Sequence, residues 1–472
     1  MRARALLVAA MVSGCAVGPR YTAPAPPAAT GYTPAPVEPA APGVQPQRLV
    51  AVDHIAPDWW RAFGSPRLDA LVAEALANSP TVAQAQAALR QSRELFRQQH
   101  AGLFPSVVLN PSYQRGRESA ELQPPLNTGQ PNYTVITAGA QVSFNPDVFG
   151  GLRRTAEGAR AAAEAARHQL AAARLTLIGN VVATTIQLAS LDAQAQEQRR
   201  IIAAQRETVA IGRFQEREGQ ISRADVAALE AQLASSEAAL PPLERSRATA
   251  RNSLAVLTGR TPDRPPIALP RLDDFTLPVD LPVIVPARLV ENRPDIRAAA
   301  ANLRVAYAAV GVAVAARLPV LNLTASGGTA SASFARLLRS DNIFWSAVAG
   351  LTAPLLDAGT LRHAERAARA GLDVSRAQYR ATVLTGLQNV ADTLEALGTD
   401  ARELAAAIAA RDAAERSLMA AERQRTEGQI SALPVLSAQA AEANAANALV
   451  QARAARLSDS GALYVAIGGG SI

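Results

Sequence analysis

The chain has 472 residues, 49% apolar but only 4% aromatic, so it buries area through small side chains instead of a bulky core. Its formal charge of +7 rests on 47 basic residues, all arginine, interleaved with 40 acids; no basic block suggests nucleic acid, and no lysine is present for a P-loop. No stretch approaches the run of about 18 uncharged apolar residues that a membrane helix needs, and the single cysteine, Cys15, excludes an internal disulfide.

Residues 1–14, MRARALLVAAMVSG, join two arginines to a short apolar run, as a secretory signal peptide does. Small residues lead directly into Cys15. The expectation is cleavage before Cys15 and then acylation, with an N-acyl chain and a diacylglycerol; the alternative is a signal peptide with an incidental cysteine. Several acyl chains together anchor stably where one does not. Ala16, in place of aspartate, favours the outer membrane. Residues 15–57 read as a lipidated tether, since 19–57 hold ten prolines. Polyproline II at about 3.1 Å per residue would reach on the order of 100 Å.

Folded structure is expected from residue 58. Trp59, Trp60 and Phe63 read as an aromatic packing cluster, with a ligand cage as the alternative. Leu68, Leu71, Val72, Ala75 and Leu76 fall at helical spacing, and Ser79-Pro80 stops that helix and starts the next. After Pro105 the period becomes 2. Strands are expected over 103–118, with Val107, Leu109 and Tyr113 opposite Asn110, Ser112 and Gln114, and over 132–145. In the second, Ile136, Ala138, Ala140, Val142 and Phe144 alternate with Thr137, Gly139, Gln141, Ser143 and Asn145. The loop between them, 118–132, contains three prolines. From 150 a proline-free run of strong helix formers predicts a hairpin, 150–217/221–258, turning at EGQIS over 218–222. Gly219 is the expected helix stop and Ser222 the N-cap of the return arm.

EGQIS returns at 427–431. At that offset of 209 GGLRRTAEGAR (150–160) falls on GTLRHAERAAR (359–369), and at 214 NSPTVAQAQAALR (78–90) falls on NRPDIRAAAANLR (292–304). Residues 58–260 and 286–468 are therefore two copies of one unit, joined by an equatorial segment, 261–285, and followed by a flexible end, 469–472. The second copy predicts strands over 318–329 and 342–355 and a hairpin, 359–427/431–458, with Gly428 and Ser431 at its turn. Four strands of this length and alternation suit a bilayer crossing. Open edges are costly in lipid, so subunits must pool strands, eight in a dimer or twelve in a trimer. The fold class is α+β membrane protein with a tandem repeat, the helices forming a second cylinder.

The segments CAVGPRYTAP (15–24), WWRAFGSPRLDALVAEALANSP (59–80), ENRPDIRAAAANLRVAYAAVGVAVAARLPVLNLTASGG (291–328) and LTAPLLDAGTLR (351–362), in that order and with two hairpins, resemble the outer membrane factor (TolC-like) family in its OprM/NodT-type lipoprotein branch. The resemblance implies a homotrimer with a 12-stranded barrel, a periplasmic α-barrel and an equatorial belt. It implies a passive exit duct for small molecules such as drugs, no catalysis, and partnership with a periplasmic adaptor (membrane fusion) protein and an inner-membrane transporter. Metal efflux and type I secretion are alternatives within the channel class; a non-conducting envelope scaffold lipoprotein is the alternative outside it. The alternating strands favour the channel.

Family channels often close their periplasmic end with acidic residues near the hairpin turns. Asp225 stands there in the first hairpin, and it equally completes a capping box with Ser222. In the second, Pro434 and Ser437 occupy positions where family members often carry aspartate, so an acidic gate rests on Asp225. No cofactor is expected beyond the lipid on Cys15. His54, His100, His168 and His363 form no pair at metal-ligand spacing, and His363 and Glu365, two apart, point to different sides of a helix.

Overall fold

The computed structural model describes residues 16–25, 28–117, 132–266 and 268–470; the signal peptide, Cys15 and the loop over 118–131 lie outside the described residues. In chain order the elements are β1 (Arg48–Ala51), α1 (Pro66–Asn78), α2 (Pro80–Ala101), β2 (Ser106–Arg117), β3 (Asn132–Phe144), α3 (Gly151–Arg217) and α4 (Arg223–Leu257). There follow β4 (Asp280–Val283), α5 (Pro286–Asn292), α6 (Pro294–Ala315), β5 (Val320–Ser331), β6 (Ile343–Thr352), α7 (Thr360–Thr426) and α8 (Ala432–Ala466).

The two halves repeat in length as well as in order. α2 and α6 have 22 residues each, β2 and β5 12, α3 and α7 67, and α4 and α8 35. The return arm α8 runs to Ala466, beyond the expected 458. Gly461 argues locally against helix, but the helix packs there beside Val182, Phe63 and Trp59, each at ordinary contact distance from where a Cβ would stand. Helices α3 and α6 each contain an 18-residue window apolar enough to cross a membrane once two charges are allowed, against the expectation that no stretch comes close. The buried share of those windows, 56% and 44%, assigns much of that apolar character to packing.

The chain divides into two compact units. The first takes the segment ending at Pro24 with Ala88–Ala166 and Ala299–Tyr379. It holds one antiparallel sheet in the order β2-β3-β5-β6 and a cluster in which Leu303, Tyr307 and Val310 of α6 meet Leu372 of α7 and Tyr21. The second takes Ala25–Ala87, Arg167–Ala298 and Arg380–Ile472. It holds the parallel pair β1-β4, most of both hairpins and the aromatic cluster, where Trp59 stacks on Tyr464 at 5.1 Å beside a fully buried Phe63.

The first hairpin carries a regular ladder. Arg199, Arg206 and Arg213 of α3 pair with Glu244, Glu237 and Glu230 of α4 at 2.7, 2.6 and 2.7 Å, and Arg247 pairs with Asp192. The first three pairs step by seven residues on both helices, the period of an antiparallel coiled coil. Each exposed pair contributes only about 0.2–1 kcal/mol, so their value is in fixing register.

Two expectations are overturned. Residues 28–57 are not a free tether but a strap on the second unit. Tyr32 donates its hydroxyl to the Ile284 carbonyl at 2.6 Å, Val44 packs on Leu404, Ala407 and Ala452, and 48–51 form β1 beside β4. Prolines remove backbone donors without preventing side chains from packing. The C-terminal glycines are likewise not a loose end, for Gly468, Gly469 and Gly470 are buried. Gly468 (φ +105°) donates to Val465 O at 3.1 Å and Gly469 to Tyr464 O at 2.8 Å, closing α8 in a left-handed cap. A Cβ on Gly470 would collide with Pro57. Residues 471–472 lie outside the described residues.

Candidate functional site

The sheet has two unlike faces. Register places Val107, Leu109 and Tyr113 beside Val142, Ala140 and Ile136, and Leu321, Leu323 and Ala325 beside Leu351, Ala349 and Ala347. Much of this apolar face is bare, with Leu109 71%, Leu351 69% and Trp345 80% exposed, although Ile136 is buried. Open apolar area of this kind marks a surface meant for lipid or protein. The opposite face carries Asn110, Ser112, Gln114, Thr137, Gln141, Asn322, Thr324, Ser326 and Ser346. There Ser326 Oγ and Ser346 Oγ lie 2.8 Å apart, and Gln114 Nε2 donates to Tyr133 Oη at 3.2 Å. Gly139 and Gly328 pair across β3 and β5 where a Cβ on Gly328 would meet Ala138 O, and the Phe344 ring covers them. The outer edges of β2 and β6 have no strand partner among the described residues.

Each long helix leaves the sheet through an aspartate. Asp147 accepts N–H bonds from Leu152 and Arg153 at 2.9 and 2.8 Å, and Asp357 accepts from Leu361 and Gly359 at 2.7 and 3.0 Å. The bonds from Leu361 and Gly359 hold the Asp357 carboxyl below the usual range. Carboxylates in these places satisfy donors that the first helical turn leaves free.

At the first tip, Gly219 (φ +71°) donates to Glu216 O at 2.9 Å and Gln220 to Gln215 O at 2.8 Å, and at the second Gly428 (φ +73°) and Gln429 repeat both bonds. This double bond pattern requires a left-handed residue, which is why both copies keep glycine. Ser222 Oγ accepts from Asp225 N–H at 3.2 Å, while Asp225 Oδ2 accepts from Ser222 N–H at 3.1 Å and Ser222 Oγ–H at 2.7 Å. The Ser222 hydroxyl and N–H hold the Asp225 carboxyl below its ordinary value. Asp225 is thus both a helix cap and a standing negative charge. The second tip differs: Ser431 makes no side-chain cap bond, and Pro434 takes the place equivalent to Asp225. Pro434 and Ser437 are exposed.

Below the tips the copies pack by different means. Gly212 lets Leu229 approach so closely that a Cβ on it would stand 2.6 Å from Leu229 Cδ1, and Leu229 packs with Val209 and Leu436. The equivalent residues of the second hairpin are Ala421 and Ala438, which pack with Val435. Glycine against leucine in one copy is replaced by alanine against alanine in the other.

The residues just past Cys15 are clamped. Val17 N–H donates to Phe149 O at 3.2 Å, and Arg154 Nε donates to Val17 O at 3.1 Å. Tyr21 meets Tyr307 edge-on at 5.6 Å beneath the Arg304 guanidinium. Farther on, buried Arg456 donates to Gln47 Oε1 and Gln45 O at 3.0 and 2.8 Å. In the same unit lies buried Asp400. Loss of hydration, then the charge of Asp459, pushes its carboxyl up to about 7, while Arg456 pulls the other way.

Sequence reasoning missed this strap and the Arg456 cluster, and also the seven-residue ladder, although Arg199-Arg206-Arg213 and Glu230-Glu237-Glu244 display that period openly. Among the described residues no three His, Cys, Asp or Glu side chains are grouped to hold a metal. Glu365, beside His363, is engaged by Arg317 and, at 2.7 Å, by Arg369.

The sequence model of the family described as outer membrane efflux protein matches residues 71–260 and 285–469. The pyoverdine export outer membrane protein OpmQ of Pseudomonas aeruginosa is 30% identical over 450 residues, covering 94% of both chains. The solvent efflux pump outer membrane protein SrpC of Pseudomonas putida is 28% identical over 463 residues, covering 98% of this chain and 96% of that one. Among solved structures, the outer-membrane channel OprN superposes with a TM-score of 0.87 at 27% identity, covering 97% and 99% of the two chains. The open state of the Neisseria gonorrhoeae MtrE outer membrane channel gives 0.82 at 26%, covering 97% and 98%.

Proposed function

This chain belongs to the outer membrane efflux protein family, and from that premise we propose that three copies pool their strands into one barrel through which small molecules leave the cell. It is an outer membrane efflux channel and not an enzyme. The observation that carries the trimer is the four-stranded sheet with an apolar face, a polar face and two open edges. All its pairings are antiparallel and the strand number is even, so β6 of one copy runs antiparallel to β2 of the next and the ladder continues around a ring. A barrel of about eight strands is filled by its own side chains. A dimer would therefore be plugged, and the trimer is the smallest assembly that conducts.

The polar faces then line the lumen, the apolar faces meet lipid, and the helical hairpins line a second cylinder. A periplasmic adaptor and an inner-membrane transporter supply the cargo and the energy. OpmQ is named for pyoverdine export, SrpC for solvent efflux and ArpC for antibiotic efflux, all at 27–30% identity to this chain. Relatives equally distant serve unlike cargoes, which supports a duct whose selectivity lies in its partners, with drugs as one class it carries.

Three copies of Asp225 form an acidic ring at the tips that concentrates cations. The second tip adds none at the equivalent place, because Pro434 stands there. Cys15 carries the lipid; the bonds of Val17 and Arg154 support an anchor held next to the start of α3. Native mass spectrometry of the detergent-extracted protein tests this reading. It predicts three chains, each heavier than the polypeptide from Cys15 by its acyl groups, and a Cys15→Ser variant without that increment. A monomer would overturn the duct.

A further inference from the structure

Above Tyr113 the apolar face of β2 changes character. Arg115 and Arg117 continue the parity of Val107, Leu109 and Tyr113, and both are exposed. Their neighbours Gln114 and Gly116 lie on the other face, against Tyr133: Gln114 bonds its hydroxyl, and a Cβ on Gly116 would strike its ring. The two arginines therefore point to the lipid side. The connection from β5 to β6 folds onto the same side, because Phe334 stacks on Tyr113 at 6.4 Å with 4° between the rings. Two residues beyond Phe334 is Arg336, and Arg339 follows in the same tight turn, where Arg339 N–H donates to Arg336 O at 3.1 Å. Leu338 between them is 92% exposed and Phe334 70%.

This end of the described sheet thus presents four exposed guanidiniums against one carboxylate, Asp341, and none of the four has an ion-pair partner among the described residues. Bare apolar side chains are interleaved with them. In water that arrangement exposes apolar surface without return. At the level where a bilayer passes from acyl chains to headgroups, the aromatic and leucine side chains enter the apolar layer and the guanidiniums reach the phosphates. Guanidinium binds phosphate oxygens through paired N–H bonds, and four guanidiniums match more than one phosphate.

Resting on the reading of the sheet as a membrane barrel, we propose that Arg115, Arg117, Arg336 and Arg339 form a binding site on the lipid-facing rim for a lipid headgroup bearing two phosphates. The test uses the full chain in phosphatidylcholine nanodiscs, with diphosphoryl lipid A, monophosphoryl lipid A or phosphatidylglycerol added, and native mass spectrometry to count retained lipid. Diphosphoryl lipid A is expected to be held most tightly, and inorganic phosphate at equal concentration is expected not to displace it. Each arginine near an anionic surface is worth about 1 kcal/mol, so an Arg336→Gln/Arg339→Gln variant should bind about thirtyfold more weakly. An Arg115→Gln/Arg117→Gln variant should behave alike, which keeps the test decisive if one pair disturbs folding. Equal retention of phosphatidylglycerol, displacement by inorganic phosphate, or unchanged affinity in both variants overturns the site. Conductance is recorded on the same preparations: a wild type that conducts but holds no lipid sinks only this inference, whereas one that never conducts sinks the channel reading itself.

Discussion

Replacing Asp400 by asparagine should change how strongly the strap is held, and only in a defined pH window. Its carboxyl rises from 3.8 to about 7 in the folded chain. The folded state therefore binds the proton more tightly than the open state, and stability falls as pH climbs through that interval. It is level below the lower value and above the upper one. With about 1.36 kcal/mol per pKa unit, the loss between pH 5 and pH 8 is about 2 to 3 kcal/mol, an upper figure because Asp459 and Arg456 share the site. The strap covers this region, with Val37 against Gly398 and Gln45 and Gln47 on Arg456, so its opening rehydrates Asp400. Native-state hydrogen exchange of the β1 amides, converted to opening free energies at pH 5 and pH 8, reads the effect. Wild type should open more readily at pH 8, and Asp400→Asn should remove most of the difference. Equal slopes in the two proteins would refute the reasoning. Asp225, Asp357 and Glu365 have lowered values, so their contributions are lost only as pH falls further and leave this window clear.

Three further outcomes follow from the repeat. Ser222→Ala should cost the first hairpin about 1 kcal/mol, while Ser431→Ala, which removes no cap bond, should cost much less; exchange at the two tips separates them. Gly212→Ala should destabilise by about 1–3 kcal/mol through the clash with Leu229, and Leu229→Ala, costly by itself, should cost less in that background because it relieves the clash, as a double-mutant cycle by thermal unfolding in detergent would report. Ala358 sits at φ +52°, so Ala358→Gly should stabilise the entry to α7 by about 1 kcal/mol, and exchange protection of the first α7 amides should rise accordingly.

The sequence disclosed whatever is periodic. Alternation marked the strands to within three residues, absence of proline marked α3 and α7, and EGQIS marked both turns, because pleat, helix and glycine cap are local demands. The strap was hidden for the opposite reason. Its contacts are single side chains reaching partners far along the chain, such as Tyr32 to Ile284, and proline-rich composition reports backbone preference without reporting such docking. The glycine end misled by composition too, yet a signal existed: Gly468 repeats Gly259, which ends α4 at φ +75°. Asp225 was legible as a capping residue because Ser and Asp stood three apart. The ring of three such carboxylates that we propose belongs to the assembly, which one sequence does not display.

Single-channel recording in planar bilayers tests the duct most directly. The account predicts discrete cation-preferring currents from purified wild-type protein, with weakened cation preference and larger openings in Asp225→Ala. A trimer that enters the bilayer and passes no current in either form would contradict it.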